Sequence, residues 1–194
     1  ATDNAAGSAV VMEAMRLLKA VEVQPRRTIR AALWGAEESG HLGSLGYVAK
    51  HFGKGDVDEK RAERVGFYVY FNVDWYGRFR GIYLQGNDEA RPIFEAAMAP
   101  LRDLGMEWIV PGNTGGTDHM SFLKSGLPAF QFIQDDLEFF NVAFHTNMDV
   151  FDRLVEEDLQ QAAIVLASFA YHAATRDGPF PYSDGLNNGR RWHK

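Results

Sequence analysis

Residues 67–73 (FYVYFNV) form an apolar run without alternation between apolar and polar positions. A strand with one face in water alternates, whereas a strand covered on both faces reads as a nearly continuous apolar run. The run therefore predicts a central strand with helices packed on both sides. Asp74 follows directly, so this strand delivers a carboxylate at its carboxyl end.

Helix and strand patterns alternate along the rest of the chain. Apolar positions at helical spacing predict a helix from about residue 4 to residue 21 and a long final helix over 155–170. Two more helices are expected at 42–52 and 91–101, and three more strands at 28–34, 81–84 and 129–133. The alternation is typical of the α/β class, and it predicts a three-layer α/β/α sandwich around a mixed, mostly parallel sheet.

The domain organisation follows from length and local composition. A chain of 194 residues is long enough for one core, which we assign to residues 1–176. Charged residues at 53–64 predict a solvated loop or helix, and the tail at 177–194 is rich in Gly, Asn and charge and is expected to be loosely held. The chain opens with no strand before its first helix, so we expect a truncated sheet with an exposed edge.

Composition excludes several classes of function. A net charge of −6 and a pI near 5.5 argue against a nucleic-acid partner. The absence of cysteine excludes disulfides, thiolate metal sites and cysteine nucleophiles. No apolar stretch is long enough for a membrane span, so no membrane association is expected. The acidic surplus either solvates the surface or supplies oxygen ligands for a divalent metal.

Acidic and imidazole side chains stand at the ends of the predicted elements. Asp3 precedes the first helix, Glu37 and Glu38 follow a strand, Asp74 follows the next, and His145 lies in a later loop. In α/β folds the site collects at the carboxyl ends of the strands, so these residues are candidates to converge. Each also has a structural interpretation, as a helix cap, an acid favoured near a helix start or a surface group.

Taken together and in order, these positions fall in motifs that resemble the cocatalytic zinc aminopeptidase and carboxypeptidase family. The resemblance covers about residues 1–175. The motifs are Ala1-Thr2-Asp3-Asn4-Ala5-Ala6-Gly7, Trp34-Gly35-Ala36-Glu37-Glu38, Asn72-Val73-Asp74, Thr117-Asp118-His119 and His145-Thr146-Asn147-Met148-Asp149.

The resemblance implies a dinuclear zinc centre. Asp3 would bridge two zinc ions, Glu38 and His145 would complete one site, and Asp74 would belong to the other. Glu37 would be the general base that takes a proton from a metal-activated water. The implied activity is hydrolysis of terminal peptide bonds in peptides or dipeptides. The resemblance also implies a secreted or periplasmic protein, and similar enzymes are often homodimers.

Further residues are expected to support this centre. The resemblance places Asp118 and His119 beside the metals, where they would support ligands or substrate. Asp149 would orient either His145 or a backbone turn. His41 also follows Glu38 closely, but the family uses no ligand at that position, so a surface or supporting role is expected.

The chain departs from the family pattern at one ligand. The family takes a histidine from a His-x-Asp motif ahead of the bridging aspartate, and only Ala1 and Thr2 precede Asp3. We therefore expect at most one well-occupied zinc ion, held by Asp3, Glu38 and His145. Two alternatives stay open: a single-zinc acyltransferase like the glutaminyl cyclases, which share the fold, and an inactive fragment or scaffold.

Overall fold

The computed structural model describes residues 1–53, 66–75 and 77–181. Its helices are α1 (Gly7–Ala20), α2 (Leu42–His51), α3 (Arg91–Met98), α4 (His119–Leu123) and α5 (Glu156–Thr175). Its strands are β1 (Tyr70–Asn72), β2 (Phe79–Tyr83), β3 (Trp108–Val110) and β4 (Ala129–Gln134). The charged segment expected at 53–64, apart from residue 53, and the tail from 182 to 194 lie outside the described residues.

The strands form one four-stranded sheet in the order β1-β4-β2-β3. The β1–β4 and β2–β3 pairs are parallel, and the β2–β4 pair is antiparallel. Gly81 in β2 faces Trp108 in β3, and a Cβ atom on Gly81 would lie 2.0 Å from the Trp108 carbonyl oxygen, so this close pairing requires glycine. The prediction of a mixed, mostly parallel sheet is confirmed.

Helices cover both faces of the sheet. On one face Phe71 packs with Phe132 and with Phe169 of α5, inside the core that α1 and α3 share. On the other face Tyr70 stacks on Phe122 of α4, with ring centroids 4.4 Å apart, in a second cluster that includes α2. Adjacent residues of β1 therefore contact opposite layers, which explains the unbroken apolar run and confirms the α/β/α arrangement.

The first helix starts later than its apolar pattern predicted. Asp3 (φ −111°, ψ 104°) and Asn4 (φ −128°, ψ 40°) are not helical, and α1 begins at Gly7. The side-chain oxygen of Asn4 accepts a hydrogen bond from the Gly7 amide at 3.1 Å. A Cβ atom on Gly7 would lie 2.1 Å from that oxygen, so only glycine permits the contact. Asn4 thus satisfies the backbone at the helix start, and the Asp3 carboxylate is left for other contacts.

Two strand predictions need correction. Residues 28–34 run without a turn or bend but form no strand, because no neighbouring strand pairs with them in the described parts of the chain. Conversely, β3 was not predicted, because it is a three-residue edge strand with an exposed tryptophan at its start.

The core extends beyond residue 176, where the loosely held tail was expected to begin. Phe180 is 2% exposed, and its ring packs against Phe94 and Phe130. The Tyr68 hydroxyl donates a hydrogen bond to the Gly178 carbonyl at 2.7 Å. The glycine and proline content around 178 therefore marks a tight connection back onto the core. None of the helices in the described ranges is long and apolar enough to cross a bilayer.

Candidate metal centre

The candidate ligands meet at the carboxyl end of β1. Asp74 follows β1, Glu37 and Glu38 follow the 28–34 segment, and Asp3 precedes α1. These four acids line one cavity of about 380 Å³. His145 reaches the same place from the loop after the π-helical turn Phe139–Ala143. Sequence-distant segments thus bring carboxylates and one imidazole to one edge of the sheet.

Asp3, Glu38 and His145 form the tightest group. His145 Nε2 lies 3.1 Å from a carboxylate oxygen of Glu38 and 3.7 Å from one of Asp3. One ligand atom from each residue lies within 4.8 Å of the others. Two carboxylates and one imidazole are a common ligand set for zinc, and three protein ligands leave a coordination position for water or substrate. The donor set therefore fits a zinc ion.

Asp74 lies beside this group in a more buried position. Burial raises the pKa of Asp74, and hydrogen bonding from Thr117 and from the Trp75 amide partly offsets that effect. Burial, together with the negative charges of Asp74 and Glu38, raises the pKa of Asp3 to about 6. The carboxylates thus repel one another at neutral pH. A divalent cation would relieve that repulsion, which is a second reason why the donor set fits a metal.

Glu37 lies next to the ligand group but is not one of its members. Its carbonyl accepts hydrogen bonds from the amides of Gly40 at 2.9 Å and His41 at 2.8 Å, which closes a tight turn. The Glu38 side chain contacts His145, whereas the Glu37 carboxylate lies 3.2 Å from His41 Nε2. Burial and then the Asp74 charge raise the pKa of Glu37 to about 7, and His41 partly counteracts them. The turn therefore sends the two adjacent carboxylates in different directions.

Sequence reasoning did not identify the contact of His41 with Glu37. The available signal was their separation of four residues, which is the spacing of an ion pair across one turn. His41 has a positive φ of 60° at the start of α2. In this conformation its Nε2 atom lies 3.2 Å from a carboxylate oxygen of Glu37.

Asp149 binds the backbone that carries Asp3. Its carboxylate accepts hydrogen bonds from the amides of Thr2 at 2.6 Å and Asp3 at 3.0 Å, and it lies 2.9 Å from the Ala1 amino group. Burial alone raises the pKa of Asp149, but these hydrogen bonds more than offset it and hold the pKa below its ordinary value. Of the two roles predicted for Asp149, the described contacts match the binding of backbone and not the orientation of His145.

Asp118 lines the cavity, whereas its neighbour His119 lies in the protein interior. Asp118 lines the cavity and is 5% exposed, and its Oδ1 atom has no hydrogen-bond partner among the residues that the structure describes. Burial raises its pKa, partly offset by the Ser44 hydroxyl. His119 is fully buried, and its Nε2 atom lies 2.9 Å from the Thr114 carbonyl oxygen. Burial lowers the pKa of His119 to about 4, so it is a neutral group that holds the preceding loop.

An aromatic wall stands beside His145. Phe144 stacks on the imidazole with ring centroids 3.8 Å apart, and Trp75 stacks on Phe139 at 5.7 Å. Phe139 is buried, whereas Phe140 is 57% exposed and contacts both Trp75 and Phe144 edge-on. The candidate ligand His145 is thus held in place by packing, next to an apolar surface open to solvent.

Comparison with known proteins supports a peptidase family. Residues 1–170 match the model of peptidase family M28. The chain is 30% identical over 184 residues to aminopeptidase YwaD of Bacillus subtilis, a match that covers 91% of this chain and 38% of that protein. It is 29% identical over 185 residues to carboxypeptidase Q of Mus musculus, which covers 94% of this chain and 37% of that protein. The chain therefore spans less than half the length of these relatives.

Two solved structures share the fold. A peptidase M28 precursor from Shewanella amazonensis superposes with a TM-score of 0.76 at 30% identity, over 93% of this chain and 39% of that chain. BSAP, a zinc aminopeptidase from Bacillus subtilis, superposes with a TM-score of 0.69 at 28% identity, over 91% of this chain and 42% of that chain. The family match and the shared fold agree with the motifs and the geometry, and the chain belongs to peptidase family M28.

Proposed function

We propose that this chain carries the zinc-binding and proton-transfer groups of an exopeptidase that hydrolyses terminal peptide bonds. The observation that supports this function most directly is the convergence of Asp3, Glu38 and His145, with Glu37 beside them but outside the ligand group. A hydrolytic zinc site needs both parts: ligands that leave a position open, and a separate carboxylate that can move a proton.

Each residue has a distinct role in this proposal. Asp3, Glu38 and His145 would hold zinc, which supplies Lewis acidity and allows water to attack an amide near neutral pH. Glu37 takes the proton from the attacking water and returns it to the leaving amine. The contact with His41, whose Nε2 atom lies 3.2 Å from a carboxylate oxygen of Glu37, holds the Glu37 side chain at the cavity wall. Asp149 positions the Asp3 backbone, and Asp118 adds a buried carboxylate to the cavity wall.

One zinc ion per chain is the expected stoichiometry. The group around His145 offers three protein ligands, whereas the described residues place Asp74 in no second group of three. With Asp3 shared between the two positions, another ion would have the two carboxylates of Asp3 and Asp74. Two carboxylates without an imidazole are too few for tight zinc binding. A second ion would need a ligand from outside the described residues.

The walls of the site favour a peptide with a free amino end and an apolar side chain. Carboxylates outnumber imidazoles around the cavity, and such a surplus attracts an α-ammonium group and repels an α-carboxylate. The exposed ring of Phe140 and the stacked ring of Phe144 offer an apolar surface beside the candidate ligand His145. We therefore infer a preference for leucine-like or aromatic terminal residues.

Metal analysis combined with a substrate panel tests the proposal. Zinc per chain is measured by elemental analysis, and dipeptides with apolar first residues are assayed before and after zinc is added. N-acetylated dipeptides are the matched control, since they lack the ammonium group. We expect about one zinc per chain and zinc-dependent release of the first residue from unblocked dipeptides only. Absence of zinc binding contradicts the proposal. Cyclisation of amino-terminal glutamine without dipeptide hydrolysis would favour the glutaminyl cyclase alternative.

A further inference from the structure

Buried polar side chains form a continuous series of hydrogen bonds across the carboxyl ends of β1 and β4. The Trp34 indole nitrogen donates to the Tyr70 hydroxyl at 3.0 Å, and that hydroxyl donates to the side-chain oxygen of Asn72. The Asn72 amide nitrogen donates to Gln131 Oε1 at 2.7 Å. Asn72 and Gln131 are register partners on neighbouring strands, so the series passes directly from β1 to β4.

These hydrogen bonds continue from β4 to the backbone of Trp75. The Gln131 amide nitrogen donates to Gln134 Oε1 at 3.2 Å, and the Gln134 amide nitrogen donates to the Trp75 carbonyl at 3.3 Å. Trp75 belongs to the aromatic wall beside His145 and contacts the exposed ring of Phe140. We call the members of this series the polar network; in order they are Trp34, Tyr70, Asn72, Gln131, Gln134 and Trp75.

The two ends of the polar network fix the direction of its hydrogen bonds. An indole nitrogen can only donate, and a backbone carbonyl can only accept. Because Trp34 donates to the Tyr70 hydroxyl, the hydroxyl gives its own proton to Asn72. Each amide that follows accepts through its oxygen and donates through its nitrogen, up to the Trp75 carbonyl. If one amide turned over, two acceptors would face each other, so the network specifies one orientation for each side chain.

Gln131 is the most deeply buried amide of the polar network. It is 0% exposed and stands between Phe130 and Phe132 in the sequence of β4. A buried amide destabilises a fold unless it is hydrogen-bonded, whereas an apolar side chain of similar size has no such requirement. Packing alone therefore does not account for glutamine at this position. Its hydrogen bonds hold Asn72 at one end of the side chain and Gln134 at the other.

The backbone of Trp75 is the group that the polar network holds at its far end. Trp75 has a positive φ of 44°, a left-handed conformation that is uncommon for residues with a side chain. Its carbonyl accepts the hydrogen bond from Gln134. Its indole nitrogen is buried and has no hydrogen-bond partner among the residues that the structure describes. The position of the ring therefore follows from its backbone and from stacking on Phe139.

A branch of the polar network holds the residue before Trp75. The Asn72 amide nitrogen also donates to the Thr117 hydroxyl at 3.1 Å, and Thr117 hydrogen-bonds in turn to Asp74. The Trp75 amide donates to Asp74 Oδ1 at 3.0 Å. The turn formed by residues 74 and 75 is thus held at its carboxylate by the branch and at its last carbonyl by Gln134.

We propose that Gln131 and Gln134 are positioning residues that hold the Trp75 turn and so set the place of the aromatic wall. Gln134 acts directly on the Trp75 carbonyl, and Gln131 acts through Gln134 by keeping it in the donating orientation. The wall would receive the first side chain of the substrate, a part of the inference that rests on the proposed function. The two glutamines therefore influence which substrate is chosen and not whether zinc binds.

Fluorine NMR of the full 194-residue chain, without zinc or substrate, tests whether the polar network holds Trp75. The chain contains four tryptophans, so labelling with fluorotryptophan gives one signal for each, and Trp75→Phe identifies the signal of Trp75. Gln134→Met has a side chain of similar length but cannot donate to the Trp75 carbonyl. We expect this variant to shift or split the Trp75 signal and to leave the Trp108 signal unchanged.

Two further variants show whether the effect passes through the polar network. Gln24→Met is the matched control, because the Gln24 amide also donates to a backbone carbonyl at 3.3 Å but lies exposed on the surface. It should leave the Trp75 signal in place. Gln131→Met removes the donor to Gln134, one step further from Trp75, and we expect a smaller shift of the Trp75 signal. Because Gln134 is half-buried whereas Gln131 is fully buried, Gln134→Met is expected to fold even if Gln131→Met does not.

Substrate choice separates positioning from a general loss of stability. Hydrolysis of phenylalanyl-alanine and of alanyl-alanine is measured at saturating zinc. Gln134→Met should lower the ratio of the two kcat/KM values about three- to ten-fold, mainly through a higher KM for the aromatic substrate, since a stacked or edge-on ring contact is lost. The zinc content should equal that of the parent. A variant that merely unfolds more easily would lose activity on both dipeptides alike.

Four results decide against parts of this inference. An unchanged Trp75 signal in folded Gln134→Met would overturn the proposal. A shift in Gln134→Met with none in folded Gln131→Met would overturn the role of Gln131. A shifted Trp75 signal with an unchanged substrate ratio would overturn the link to substrate choice. If neither dipeptide is hydrolysed by the parent, the proposed function fails, while the fluorine signals still decide whether the network positions Trp75.

Discussion

The imidazole of His41 and the carboxylate of Glu37 lie 3.2 Å apart across a single turn, while Glu38, between them in sequence, contacts His145 instead. This arrangement separates two adjacent acids by function. Glu38 is available to a metal, and Glu37 is paired with an imidazole at the cavity wall.

Replacement of Glu37 by glutamine should remove turnover and leave zinc content unchanged. The amide has nearly the same shape but cannot take a proton, and general-base catalysis contributes about 10²–10⁴-fold to the rate. The measurement is dipeptide hydrolysis with zinc analysis of the same sample. Glu13→Gln, an exposed acid paired with Arg16, is the control and should behave like the parent. Normal hydrolysis by Glu37→Gln would exclude Glu37 as the base.

Alanine at Glu38 or at His145 should lower zinc per chain. Each variant removes one of the three grouped ligand atoms, so zinc would retain only two protein ligands. Elemental analysis after dialysis against zinc-free buffer measures the effect, with Glu13→Ala as the matched surface control. If both variants keep the zinc content of the parent, the ligands have been assigned to the wrong residues.

Loss of the Asp149 carboxylate should weaken zinc binding without removing a ligand. Asp149 accepts hydrogen bonds from the amides of Thr2 and Asp3, and groups that orient ligands typically contribute about 10–100-fold to metal affinity. We expect Asp149→Ala to lose zinc affinity by this full factor. Asp149→Asn keeps one hydrogen-bond acceptor and should lose less. Asp152→Ala, at an exposed position nearby, is the control. Zinc affinity equal to that of the parent in Asp149→Ala would contradict this role.

His119→Gln should make the chain less sensitive to acid. Burial lowers the pKa of His119 from 6.5 to about 4 in the folded state. Between these values the unfolded chain binds the proton first, so stability is lost as the pH falls from about 6.5 to about 4. The loss amounts to about 3 kcal/mol at most, since one pKa unit corresponds to about 1.4 kcal/mol.

Urea unfolding of the metal-free chain at several pH values measures this effect as the difference between parent and variant. Glutamine can still donate to the Thr114 carbonyl but does not titrate, so the variant's stability should depend less steeply on pH. His172→Gln is the control and should change the slope less, because His172 is only half-buried. Identical slopes for the parent and His119→Gln would mean that folding does not shift the pKa of His119.

Much of the fold could be predicted from local patterns. The continuous apolar run at 67–73 and the long amphipathic pattern at 155–170 each correspond to an element, because their side chains meet covered surfaces. Residues 28–34 also have a strand pattern. A strand forms only where another strand pairs with it, and the pattern within one segment does not show whether a distant segment does so. Phe180 was assigned to the tail because the residues around it are turn formers, although its own ring belongs to the core.

The candidate site could also be predicted only in part from the sequence. The acids at the ends of elements could be identified from motif order, and their convergence follows from the topology of the sheet. The contact of His41 with Glu37 could not be predicted in this way. It depends on the positive φ of His41, which the sequence does not specify. The different surroundings of Asp118 and His119 depend on how deeply each side chain is buried, which neighbouring positions in a motif do not reveal.

The grouped ligands come from near the first residue, from the turn before α2 and from the loop ahead of α5. A zinc ion bound there would act as a cross-link between the segment ahead of α1, the turn ahead of α2 and the loop ahead of α5. Because the dispersed ligands of an unfolded chain bind zinc only weakly, metal release and global unfolding become one coupled equilibrium. The melting temperature should then rise with the concentration of free zinc, and chelators should act as denaturants of this chain.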